Sequence, residues 1–162
     1  MNMRAANVTE QSVLASIAIS AKSSWGYSSD QIVSWREGLS PTAESIHSQP
    51  TFVAEINGEI VGFYQCILRD QMAHLEHLWV LPKVMRQGIG RALVAHAVGF
   101  AAGYGIGSLS IDSDPHAEPF YASCGAIRMG LRPAPIAGQP DRVLPQLVLA
   151  TTHAPNNHYP PG

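Results

Sequence analysis

Residues 78–100, LWVLPKVMRQGIGRALVAHAVGF, decide how this chain is read. A short apolar strand ends at Pro82, a brief linker follows, and Gly88-Ile89-Gly90 opens a long apolar helix. Ile89, Ala92, Leu93, Ala97, Phe100 and Ala101 fall on one side of that helix, and Val94 and Val98 widen the stripe, so it should lie on a sheet. The first amides of a helix have no intrahelical acceptors, and glycine lets a ligand approach them closely. Together with the positive end of the helix dipole they form an anion site suited to a phosphate.

Two phosphate-binding patterns are excluded by the residues present. A dinucleotide fingerprint needs a third glycine three positions after Gly90, where Leu93 stands, and a Walker loop needs Gly-Lys-Ser/Thr, which is absent.

Working back from the glycine turn, His74 to Val80 alternates as a strand. A regular strand would put His74, Glu76, Leu78 and Val80 on one face and Leu75, His77 and Trp79 on the other. On that alternation His74 and His77 point apart, and HLEH is not a helical HExxH zinc motif, so no metal site is expected. Upstream, Asn57-Gly58 lies between the strand-like runs Thr51–Ile56 and Glu59–Leu68, which is a hairpin signature. Gly38–Pro50 reads as a polar connection. Asn2–Ala6 suggests a first strand, followed by a helix to about Lys22 with Thr9 as its cap, and a second helix is capped by Ser29 or Asp30. Trp25 and Tyr27 lie on the break between these helices, placed either to clamp the loop to the core or to wall a substrate pocket.

Downstream, Gly103, Gly105 and Gly107 end the long helix and Ser108–Asp112 forms a strand. Asp114-Pro115 has the form of an N-cap with proline at the first helical position, predicting a short helix over 115–123 that stops at Gly125. Two closing strands follow, Ala126–Leu131 and Arg142–Ala150, with Pro145 predicting an edge or a bulge in the second. His153–Gly162 is rich in proline and asparagine and is expected to be a disordered tail, leaving one domain over 1–152.

Composition narrows the function further. A chain of 162 residues with 46% hydrophobic and 14% charged residues can bury a core without staples, and a net charge of -2 offers no field for nucleic acid. Cys66 and Cys124 form neither a CxxC nor a dense framework, so both are read as free buried thiols in a reducing compartment. The N-terminus has no apolar leader and no run is long enough to span a membrane, so the expectation is a soluble, cytoplasmic protein. The residues read so far predict a mixed α/β domain with two N-terminal helices.

Val80-Leu81-Pro82 leading to Met85-Arg86-Gln87-Gly88-Ile89-Gly90 resembles the Q/R-x-x-G-x-G/A block of the GNAT superfamily of N-acetyltransferases, with Met85 in the Q/R position. A second block, Asp114-Pro115-His116-Ala117-Glu118-Pro119-Phe120-Tyr121, resembles the family's N-x-x-A-x-x-x-Y pattern, with aspartate for asparagine. The resemblance covers about residues 2–150. It implies an α+β fold with a mostly antiparallel central sheet of about six or seven strands and about four flanking helices. It also implies acetyl-CoA as acyl donor and a primary amine, on a small molecule or peptide, as acceptor.

Carried onto this chain, the family pattern has the pantetheine arm pairing with backbone of Leu78, Trp79 and Val80. The pyrophosphate would rest on Arg86, Gln87, Gly88, Ile89, Gly90 and Arg91, with Asp114 and Ala117 also on the coenzyme side. Tyr121 stands at the position of the general acid, and a phenol near ~10 can protonate a thiolate whose conjugate acid is near ~8.5. Glu76 and His74 are the candidate bases, acting directly or through a water. Asp112 is read as pairing locally, and His47, His96 and His116 as surface or partly packed. Trp25 and Tyr27, with Trp35 and the loop from Arg132 to Arg142, would line the acceptor side. A second reading, a coenzyme A-binding module without turnover, is prompted by Met85. Both a monomer and a homodimer are compatible with the sequence.

Overall fold

The computed structural model describes Met1–Thr151; the expected disordered tail lies outside the described residues. Seven strands form one sheet in the order β1-β2-β3-β4-β5-β7-β6. They are β1 (Asn2–Ala5), β2 (Thr51–Ile56), β3 (Glu59–Arg69), β4 (Met72–Val80), β5 (Ser108–Asp112), β6 (Ile127–Pro133) and β7 (Val143–Ala150). Every neighbouring pair is antiparallel except β4 and β5. The helices are α1 (Gln11–Ser23), α2 (Ser29–Trp35), α3 (Ala43–Ser48), α4 (Ile89–Gly103) and α5 (Glu118–Ser123). No helix among the described residues is long and apolar enough to cross a membrane.

Two apolar cores flank the sheet. Leu93, Val94 and Ala97 of α4 and Tyr121 of α5 pack with Tyr64, Leu75, Leu109 and Leu147, while Leu14, Ile17 and Ala18 of α1 and Ile46 of α3 pack with Val53 and Phe63. The β2–β3 hairpin turns on Asn57 and Gly58, both at positive φ (52° and 78°), the backbone a two-residue turn demands.

Several local expectations are corrected. The connection over 38–50 contains α3, whose first turn is capped by Thr42, its Oγ1 accepting from the Ser45 N–H at 3.0 Å. The first helix is entered through a single 3-10 turn, Val8–Glu10, after Asn7 rather than Thr9; the Asn7 N–H donates to Glu10 Oε1. Ser28, not Ser29 or Asp30, caps α2, its Oγ accepting from the Gln31 N–H. The last helix begins at Glu118, after a turn over 115–117 in which Asp114 still caps: its Oδ1 accepts from the His116 N–H and its carbonyl from the Ala117 N–H. Strand β7 is internal, and Pro145 fits there because β5 ends beside it: the Ser113 N–H donates to the Pro145 carbonyl just past the last paired residue, Asp112. Cys66 is buried, but Cys124 is half-buried.

The register of β3 on β4 slips between Gln65 and Cys66, which face His77 and Leu75. Glu76 is thus the extra residue of a β-bulge, and the alternation of β4 reverses there. His74 therefore lies on the same face as His77 and Trp79, opposite to Leu75, Leu78 and Val80. This overturns the expected separation of the two histidines. Among the described residues, no group of three or more metal-ligating side chains is present.

Candidate active site

Strands β4 and β5 are paired only through Ala73–Leu109 and His74–Ser110. Beyond that point they diverge, so β4 from Glu76 to Val80 has no partner strand on its β5 side. Unpaired backbone at a sheet edge is a template for another extended chain. The gap is a cleft of about 410 Å³ walled by Trp25, Trp79, Arg86, Gly90, Phe120 and Tyr121. Leu78, Val80, Gly88, Arg91 and Ala117 also border it.

The N-terminus of α4 opens on the same cleft. Arg86 (φ 65°) and Gly88 (φ 84°) adopt left-handed backbone, turning the chain sharply into the helix. Among the described residues, the N–H groups of Gln87 through Arg91 have no protein acceptor. Gly90 sits tight against α5: a Cβ there would lie 3.1 Å from the Phe120 ring and push it aside. Ile89 contributes its backbone alone, since its side chain is buried in the core. Arg91 reaches across to Ser123, donating to its carbonyl and hydroxyl and tying α4 to α5.

Tyr121 is packed in the core beneath this cleft, yet its hydroxyl has no hydrogen-bond partner among the described residues. Burial, with a smaller contribution from Cys124, pushes its pKa above the ordinary phenol value. The group is a proton donor, not a phenolate, over the physiological range.

On the other side of β4, Glu76 and His74 border two further cavities. His74 Nδ1 is 2.7 Å from Ser110 Oγ, and its Nε2 is 3.7 Å from Glu76 Oε2. The bulge brings these two side chains together at the point where β4 and β5 separate. His77, which the regular alternation sent to the other face, lines the larger of these cavities and is held neutral-favouring by burial, which lowers its pKa.

The loop aromatics surround a buried charge cluster. Lys22 Nζ donates to Asp114 Oδ2 at 2.5 Å and lies 4.6–5.8 Å from the ring centroids of Trp25, Tyr27, Trp35 and Trp79. Tyr27 donates its hydroxyl proton to the same carboxylate, and Arg142 approaches it at 3.4 Å. Asp114 Oδ1 accepts from the His116 N–H. Burial alone would raise the Asp114 carboxyl, but the Lys22 hydrogen bond and charge outweigh it and hold the pKa below the ordinary value. Tyr27 is thus engaged within the cluster, whereas Trp25 stacks on His116 and faces the cleft.

The acetyltransferase (GNAT) family model matches residues 18–126, more than half of the chain. The chain belongs to the GNAT acetyltransferase family. That membership places it among the acyltransferase enzymes. No curated protein sequence matches it. Solved structures share the GNAT fold at low identity. A GCN5-related N-acetyltransferase from Rhodopseudomonas palustris superimposes with a TM-score of 0.76 at 20% identity, covering 92% of this chain and 94% of that one. The ribosomal-protein-S18-alanine N-acetyltransferase of Escherichia coli gives 0.72 at 19% identity, covering 98% of each. The PaiA N-acetyltransferase of Thermoplasma acidophilum, solved in complex with coenzyme A, gives 0.72 at 17% identity, covering 92% and 98%.

Within this GNAT domain, Lys22, Phe120 and His77 line cavities around β4 and were not singled out from the sequence. Lys22 carried a signal. It falls four residues after Ala18 and eight after Leu14, on the buried stripe of α1, where a lysine needs a partner. His77 and Phe120 carried none that a regular strand or a single helix turn would reveal.

Proposed function

We propose that this GNAT domain is an acetyl-CoA-dependent N-acetyltransferase that moves the acetyl group to a primary amine by direct attack on the thioester. The observation that carries the reading is one cleft combining three features: an unpaired β4 edge, the free amides of Gln87 to Arg91, and the unpartnered Tyr121 hydroxyl.

Acetyl-CoA supplies the acyl group and departs as a thiol. The residues present fit it. The amides at the start of α4, with Arg86 beside them, hold the pyrophosphate, and Met85 supports the turn by packing on the core. The backbone of Leu78, Trp79 and Val80 pairs with the amide-bearing arm, and a β4 N–H stabilises the negative charge that grows on the thioester oxygen. Ala117 borders the arm, while Asp114 acts from behind by holding Lys22 and His116 in place. As the amine attacks, Glu76 or His74 takes the proton it sheds, and Tyr121 donates its own to the leaving sulfur.

Incubation with acetyl-CoA and an amine panel, following release of free thiol, tests the reading. Release with at least one amine is expected. A module that binds coenzyme A without turnover is the alternative favoured by Met85 in the signature turn. It predicts thermal stabilisation by acetyl-CoA and no thiol release with any amine.

A further inference from the structure

A cavity of about 460 Å³ lies beside the coenzyme cleft, sharing Trp79 with it and bordered by Lys22, Arg142, Arg132, His74 and Glu76. Its charges are arranged unequally. Lys22 and Arg142, with side chains 9% and 6% exposed, both lean on the single carboxylate of Asp114. Two cations sharing one anion leave that wall with a surplus positive charge. The Arg142 guanidinium has donor capacity to spare: it donates to the Ala134 carbonyl and the Tyr27 hydroxyl, and its contact with Asp114 is long. Its buried Nε has no partner among the described residues. Arg132 stands on the rim, 54% exposed and 3.5 Å from Asp112. Across the cavity Glu76 supplies a negative charge whose near neighbour is His74 at 3.7 Å.

With Asp112 and Asp114 also in its lining, the Arg142 and Arg132 side holds three cations against two carboxylates, so the cavity is dipolar, positive there and negative at Glu76. Its volume lies in the range of small-molecule sites. An occupant of opposite polarity puts a carboxylate against the guanidinium groups and its amine against Glu76, at the place where β4 and β5 part and the thioester would be presented. Planar guanidinium donors match a carboxylate in geometry as well as charge. We propose that this cavity is the acceptor site for an amine that carries its own carboxylate, the pattern of a free amino acid, an inference that rests on the N-acetyltransferase reading.

The test is calorimetric binding of a panel of L-amino acids, each beside its carboxamide, to the full chain with coenzyme A present, followed by kcat/KM with acetyl-CoA for any that bind. At least one acid should bind and be acetylated roughly tenfold or more better than its amide, the effect of losing hydrogen bonds to a charged partner. Arg132→Met should weaken the acid by about the same factor and leave the amide unchanged. Arg142→Lys should do likewise; if it fails to fold, the exposed Arg132 variant carries the test alone. Equal binding of acids and amides, binding of neither, binding of acidic peptides in preference to free amino acids, or equal loss of acid and amide in Arg132→Met overturns the proposal. If acids are preferred while coenzyme A does not bind, the donor reading fails and the carboxylate site stands.

Discussion

Lys22 and Asp114, 92 positions apart, meet in an ion pair of 2.5 Å that joins α1 to the loop before α5. The pair spans the side of the molecule where the two proposed ligand sites adjoin. Removing the carboxylate leaves Lys22 and Arg142 buried side by side with no anion. Asp114→Ala is therefore expected to cost about 3–5 kcal/mol in urea unfolding, the range for breaking a buried pair from one side. Lys22→Met should cost less, because Asp114 keeps Arg142 and Tyr27.

Tyr121→Phe removes a hydroxyl with no hydrogen-bond partner among the described residues, so stability should change by less than about 1 kcal/mol. Steady-state kinetics should show kcat falling by about a hundredfold or more, with KM for acetyl-CoA little altered. Unchanged kcat would remove the tyrosine from the proton-donor role.

Gly88→Val forces a branched side chain into a backbone with φ 84°, and Gly90→Val drives a side chain into Phe120. Both distort the turn that presents the free amides. Thermal-shift titration should show that stabilisation by acetyl-CoA is lost in each, while circular dichroism still reports a folded chain.

Acid should destabilise the protein in two stages. Burial holds His77 below its ordinary pKa in the folded state, so the unfolded chain binds the extra proton first. Stability is therefore lost as pH falls below about 6.5, the unfolded value, until the folded pKa is passed. Asp114 is also lowered, so its contribution is complete above about 4 and is lost as pH falls through the folded value. Melting temperature against pH should show both declines, and His77→Gln should shrink the first, leaving the part due to His96, which burial also holds below its ordinary value.

Much of the site was legible because it is built from local sequence. The Gly88-Ile89-Gly90 turn, the apolar stripe of α4 and the Asn57-Gly58 hairpin each act over a few residues, and each appears where the sequence predicts it. The acidic and aromatic residues were less readable. Asp114 has the form of a helix cap and its Oδ1 does cap the turn before Glu118, but its Oδ2 also holds a lysine 92 positions away, which no local pattern shows. Tyr27 reads from the sequence either as a clamp on the core or as a wall of a pocket, and only the fold brings its hydroxyl to Asp114. His74 and His77 share a face because one residue of β4 is bulged, and nothing in an alternating strand marks where a bulge will fall.

By itself the sequence determined the order of the strands and of every helix but α3, the glycine turn with its unsatisfied amides, and a tyrosine on a short helix after β5. These depend on periodicity, backbone conformation and capping, which are set by neighbours in the chain. Tertiary structure alone decided that β4 and β5 part after His74, and that Lys22 and Arg142 converge on Asp114. It also decided that Glu76 faces them across a dipolar cavity. Those features arise from sheet register and from burying charges drawn from three distant segments. Their energy comes from partners that become neighbours only when the chain is folded.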